Sequence, residues 1–151
     1  MKTVNHIAPS LSPLDSEFSG TALGVVVLVP CYNKETAIPL VIRDFQAAFP
    51  DTPIYVYDNN SSDRTAEVAR AAGAIVRTET MQGKGHIIRR MFADIEADFN
   101  ILVDGDATYE AAAAPRLVER AYQDGLDMVN GARITGREWP TAGGMFWATG
   151  C

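Results

Sequence analysis

Positive charge is scarce in this chain. Thirteen lysines and arginines face nineteen aspartates and glutamates, for a net charge of −6. A general nucleic-acid binder carries a basic footprint, so the balance argues against that class. A single anionic ligand remains compatible, because binding one needs only local donors. Cysteine is nearly absent. Cys31 and Cys151 stand far apart with no metal-ligand spacing, and they read as reduced thiols in a cytosolic compartment. Long hydrophobic runs are missing too. The longest, Ala22 to Pro30, has about nine residues where roughly 20 are needed to span a bilayer. The amino terminus lacks a basic region followed by a long apolar stretch, so no signal peptide is expected. Both histidines, His6 and His86, read as incidental. A cytoplasmic protein is expected, held at the inner face of a membrane only through a substrate, a partner or further sequence. What is present is ordinary for a soluble domain: 151 residues, 47% of them hydrophobic, enough for one real core but not two.

Residues 1–20 are polar and aperiodic and read as a flexible leader; 21–137 read as the domain proper, and 138–151 as an aberrant or disordered tail. Within the domain, strand and helix signals alternate. Val25–Val29 is a continuous run suited to a strand buried on both faces. Apolar positions Ile38, Val41, Ile42 and Phe45 make a helical stripe within 37–49. Ile54–Tyr57 is a second strand. A helix over 64–72 follows, capped by Asp63 and closed by Gly73. Strands near 74–77, 99–103 and 127–131 alternate with helices over 84–97 and 110–123. This order implies an α/β fold: a mostly parallel sheet with helices on both faces.

Ligands of such sheets bind beyond the carboxyl ends of the strands. Three polar clusters are predicted on that edge: Tyr32, Asn33 and Glu35; the run Asp58–Asp63; and Asp104-Gly105-Asp106, which ends the apolar run Phe99–Val103. The last suits a hard divalent ion, Mg²⁺ or Mn²⁺, that neutralises a diphosphate, although an Asp-x-Asp triplet also occurs as a plain solvated turn. Asn33 and Thr36 equally suit a cap of the first helix, and Asp58–Asp63 equally suits a turn with a cap. Gly83-Lys84-Gly85 departs from the phosphate-cradling P-loop, with no earlier glycine at the required spacing and no Ser/Thr after the lysine. It could still aim Lys84 at a phosphate.

Four motifs in order carry a resemblance: Val27–Glu35 (VLVPCYNKE), Tyr57–Ala66 (YDNNSSDRTA), Gln82–Gly85 (QGKG) and Leu102–Tyr109 (LVDGDATY). Together they resemble family 2 glycosyltransferases of the Rossmann-like GT-A fold, with the flavour of the polyprenyl-phosphate (dolichyl-phosphate) sugar transferases. The likeness spans about Val25 to Arg133. It implies a transferase using a nucleotide-diphosphate sugar, a Mg²⁺ or Mn²⁺ cofactor, and a polyprenyl phosphate or other acceptor. Under it, Pro30, Tyr32, Asn33, Glu35, Asp58, Asn60 and Lys84 would bind the nucleotide sugar. Asp104 would face the nucleotide, Asp106 would ligate the metal, and both would serve catalysis, with Arg133 at the acceptor phosphate. Many members carry Asp-Asp-Gly-Ser where this chain has Asp58-Asn59-Asn60-Ser61, which leaves the base preference open. A donor-binding pseudoenzyme is the main rival, and a nucleotidyltransferase a weaker one.

After Arg137 the text changes: Trp139, Phe146, Trp147 and Cys151 stand among glycines without periodicity. Codons for 139–151 read from their third base permit Ala-Tyr-Arg-(Arg or Gly)-Gly-His-Val-Leu-Gly-Asn-Arg, which resembles the family's own continuation. The expectation is a domain truncated by a frameshift near Glu138, incomplete at its carboxyl end and inactive in transfer.

Overall fold

The computed structural model describes residues 3–4, 23–132 and 144–149. The order is β1 (Thr3–Val4), β2 (Val25–Cys31), α1 (Ile38–Ala48), β3 (Ile54–Asp58), α2 (Thr65–Ala71), β4 (Ile75–Thr78), α3 (Lys84–Asp94) and β5 (Phe99–Leu102). A 3₁₀ turn (Ala111–Ala113), α4 (Ala114–Asp124), β6 (Met128–Ala132) and β7 (Gly144–Thr149) complete it. Among the described residues, seven strands form one sheet in the order β1-β6-β7-β5-β2-β3-β4. All pairings are parallel except those of β7, which runs antiparallel to β5 and β6.

The unbroken apolar run of β2 is explained by burial on both sides. Val25, Val27 and Val29 enter the larger core with α1, α2 and α4, while Val26 and Leu28 pack with Ile87, Met91 and Ile95 of the α3 side. From β2 the chain steps outward to β3 and β4, whereas β5 lies on the other flank of β2. That reversal opens a crevice at the carboxyl ends of β2 and β5, the place where open α/β sheets bind ligands.

Helix starts and stops follow local chemistry. Pro39 lies in the first turn of α1, where a missing N–H costs nothing. Gly83 precedes α3 at φ 126°, and Gly125 ends α4 at φ 58°, both left-handed conformations that glycine adopts without strain. α3 ends at Asp94, short of the expected residue 97. There Asp94 is tied to Arg90 (2.9 Å), Arg77 (3.1 Å) and the buried Tyr57 hydroxyl (3.2 Å), and the chain turns extended so that Ile95 enters the core.

Two segments expected to be irregular carry strands. Thr3–Val4 of the leader pairs with Met128–Val129. Gly144–Thr149 of the tail, GMFWAT, fills the gap between β5 and β6. Phe, Trp and Thr are strand-favouring residue types even where alternation is lacking. The remaining leader and tail residues, Arg133 and Glu138 included, lie outside the described residues.

Candidate functional site

The three polar clusters converge because of strand register. Cys31 pairs with Asp58 across β2 and β3, and Val103 N–H donates to the Leu28 carbonyl as β5 leaves the sheet. Cys31 is buried, and a Cβ built on Gly105 would stand 2.6 Å from its Sγ. The Asp58 loop and the Asp104–Asp106 loop therefore meet over one sulfur. Burial first, and then the charge of Asp58, push the Cys31 thiol up to about 12. It remains a neutral packing group, not a nucleophile.

The loop after β2 is stitched to the loop after β3. Asn33 N–H donates to Ser61 Oγ (2.9 Å), and Asn33 Oδ1 accepts from Ser62 N–H (2.8 Å). Lys34 N–H donates to Thr65 Oγ1 (2.7 Å) and Glu35 N–H to Asp63 Oδ2 (3.1 Å). Glu35 Oε2 in turn accepts the Arg64 amide (3.0 Å). Asp63 Oδ1 accepts Thr65 N–H (2.9 Å), but the N-cap of α2 is Arg64, one residue later than the sequence suggested, and it makes no side-chain cap bond. Desolvation works to raise the Asp63 carboxyl, but the Thr65 hydroxyl and amide and the Glu35 amide together hold it below its usual range. Asn33 and Asn60 sit at φ 50° and 63°, left-handed positions that asparagine tolerates. Asn60 does so at the glycine position of the Asp-Asp-Gly-Ser form of the motif.

This stitching revises the expected roles. Neither Asn33 nor Thr36 caps α1, whose N-cap, Ala37, makes no side-chain bond. Asn33 Oδ1 and Glu35 Oε2 bond backbone amides across loops, so each holds the framework of the crevice. Tyr32 stands 53% exposed at its lip, and Pro30 is half-buried at the end of β2.

Asp58 is 6% exposed. Its Oδ2 accepts Ser61 N–H (3.3 Å), while its Oδ1 is buried with no hydrogen-bond partner among the described residues. A buried acceptor left in that state is costly, and a ligand N–H would satisfy it. Across the crevice Lys84 Nζ donates to Asp104 Oδ1 at 2.7 Å. Asp106 is exposed, and its Oδ1 accepts the Thr108 amide (3.2 Å) and hydroxyl (2.7 Å).

Among the described residues no three His, Cys, Asp or Glu side chains gather to form a metal cage. Asp106 fits a hard ion of a different kind, one held by one or two carboxylate oxygens and completed by diphosphate oxygens and water, as Mg²⁺ commonly is. Sequence reasoning had Asn59, Ser61 and Ser62 only within the run Asp58–Asp63, without individual roles, and assigned none to Cys31 or Thr65. Their signal lay in position only, beside the acids at the strand ends.

Residues 26–141 match the family model described as Glycosyl transferase family 2. Protein RfbJ of Shigella flexneri is 47% identical over 112 residues, covering 74% of this chain and 87% of that protein. The dolichyl-phosphate hexose transferase of Haloferax volcanii is 32% identical over 111 residues, 74% of this chain and 48% of its own length. Glucosyl-3-phosphoglycerate synthase of Mycobacterium tuberculosis, crystallised with Mn²⁺, UDP-glucose and phosphoglyceric acid, superposes with a TM-score of 0.77 at 21% identity. That alignment covers 97% of this chain and 63% of the synthase, and it is a likeness of fold, the GT-A fold. The chain thus spans less than two thirds of the synthase and about half of the hexose transferase. With the family model covering most of its length, this chain belongs to glycosyl transferase family 2.

Proposed function

We propose that this domain binds a nucleoside-diphosphate sugar in the crevice over Cys31 and passes the sugar, with inversion, to a polyprenyl phosphate. One observation carries the reading: Asp58, with its buried unpartnered Oδ1, and the Lys84–Asp104 pair flank the same strand end. An acceptor without a partner among the described residues at that strand end suits the ring N–H of a base, and a lysine near it suits a diphosphate. In this reading Asp58 Oδ1 accepts from the base, Tyr32 and Pro30 cover it, and Asn33 and Glu35 hold the loops around it. Asn60 and Lys84 lie toward the diphosphate, with Asp104 facing the nucleotide.

A Mg²⁺ or Mn²⁺ ion held through Asp106 would supply neutralisation of the charge that grows on the departing nucleoside diphosphate. Lys84 adds a second positive charge on the same side, released from Asp104 as the diphosphate arrives. An ionised phosphate oxygen of the acceptor needs no strong base to attack the anomeric carbon from the face opposite the diphosphate. Arg133 is the proposed partner of the acceptor phosphate.

The acceptor class is supported by the name of the Haloferax relative, and the ion by the Mn²⁺ and UDP-glucose of the synthase crystal. No helix among the described residues is long and apolar enough to cross a membrane. The reading places the reaction at the cytoplasmic face of one, where a polyprenyl phosphate presents its head group. The test is transfer of labelled sugar from UDP- and GDP-sugars into a polyprenyl phosphate extract, with this chain and with a version read in the alternative frame after Glu138. Transfer by either supports the reading. Donor binding without transfer by either would reduce the protein to a donor-binding module.

A further inference from the structure

The segment between β4 and α3 has no regular structure, yet it decides where Lys84 stands. Asn59 is only 7% exposed, and its side-chain amide is wholly engaged with this segment. Its Nδ2 donates to the carbonyls of Glu79 (2.9 Å) and Met81 (2.8 Å), and its Oδ1 accepts Gly83 N–H (2.8 Å). Asn60 Nδ2 adds a bond to the Thr80 carbonyl (2.9 Å). These bonds run along residues 79–83 and stop one residue before Lys84, at the glycine whose φ of 126° sets the entry into α3. An aspartate at position 59, as in the Asp-Asp-Gly-Ser form of the motif, could still accept Gly83 N–H but could not donate to the Glu79 and Met81 carbonyls. A carboxylate only accepts, and it would face two carbonyl oxygens.

We infer that Asn59 is a positioning residue: through Glu79, Met81 and Gly83 it fixes the start of α3 so that Lys84 Nζ is held at Asp104, where a diphosphate would lie. The inference rests on the donor reading above, and its test separates the two. Asn59 itself touches no substrate in this account; its effect on binding passes through Lys84.

The test is a double-mutant cycle read by calorimetry with Mn²⁺ and UDP, and separately with Mn²⁺ and GDP. Asn59→Asp should weaken the better-bound nucleotide about tenfold in the wild-type background. In the Lys84→Ala background the same change should cost less than about twofold, because its route is gone. An equal loss in both backgrounds would overturn the inference. A second readout needs no nucleotide, so it stands even if neither nucleotide binds and the donor reading fails. Amides of residues 79–84 should exchange hydrogen about tenfold faster in Asn59→Asp, with β2 and β3 unchanged. Unaltered exchange there would overturn the inference. Asn60→Gly suits its φ of 63° and removes only the Thr80 bond, so it should accelerate exchange less. An effect as large as that of Asn59→Asp would assign the clamp to the turn as a whole and contradict the role given to Asn59. If the aspartate variant does not fold, Asn59→Ala gives the same two readouts.

Discussion

Lys84 Nζ stands 2.7 Å from Asp104 Oδ1, and this single ion pair joins the first residue of α3 to the loop after β5. Both side chains are open to solvent, 63% and 37% exposed. The pair therefore contributes little to folding, yet it places a cation and an anion at the mouth of the crevice.

Lys84→Met separates these two roles. Exposed ion pairs are worth about 0–1 kcal/mol, so thermal or urea stability should change by no more than that. Affinity for a nucleoside diphosphate should fall about tenfold or more, as expected when a charged partner of a phosphate is lost. Melting curves and calorimetry on one preparation check both.

Gly105 is required by contact, not by backbone angle. Any Cβ there meets Cys31 Sγ at 2.6 Å, with Val29 and Ile38 close behind. Gly105→Ala should destabilise the fold by about 1–3 kcal/mol through overpacking. Cys31→Ala in the same chain should recover part of that loss. Urea titration of the two single variants and the double variant measures the coupling, which should be favourable.

Cys31 should be inert in the native protein. With its thiol pushed to about 12, iodoacetamide at pH 8 should leave it unmodified, and the peptide containing it should be labelled only after unfolding. The sign of the linked stability is fixed by the same shift. The unfolded thiol ionises near its ordinary value of 9.0 and the folded one near 12, so the contribution of Cys31 is intact below the first and falls away as pH rises toward the second. Cys31→Ala should flatten that alkaline decline.

Much of the fold was legible because burial leaves a pattern. The valine run of β2 announced a strand covered on both faces, and the stripe through Ile38, Val41, Ile42 and Phe45 announced α1. The acids Asp58 and Asp104 were readable because each follows an apolar strand. What was not legible depends on contacts far apart in sequence. The bonds from Asn33 to Ser61 and Ser62 exist only once Cys31 and Asp58 are in register. The end of α3 depends on Arg77 and Tyr57, which belong to other elements. The strands at Thr3–Val4 and Gly144–Thr149 are too short or too aperiodic to stand out, and they take their form from the strands beside them.

The central claim is a crevice for a nucleoside diphosphate whose metal is held by Asp106 and by the diphosphate itself. Calorimetric titration of UDP and of GDP, each with Mn²⁺ and then with excess chelator, tests it most directly. One of the two should bind at least about tenfold more tightly with the ion. In Asp106→Asn binding should be weaker and most of that difference should vanish. Equal affinity with and without chelator would contradict the metal role, and absence of binding by either nucleotide would contradict the crevice itself.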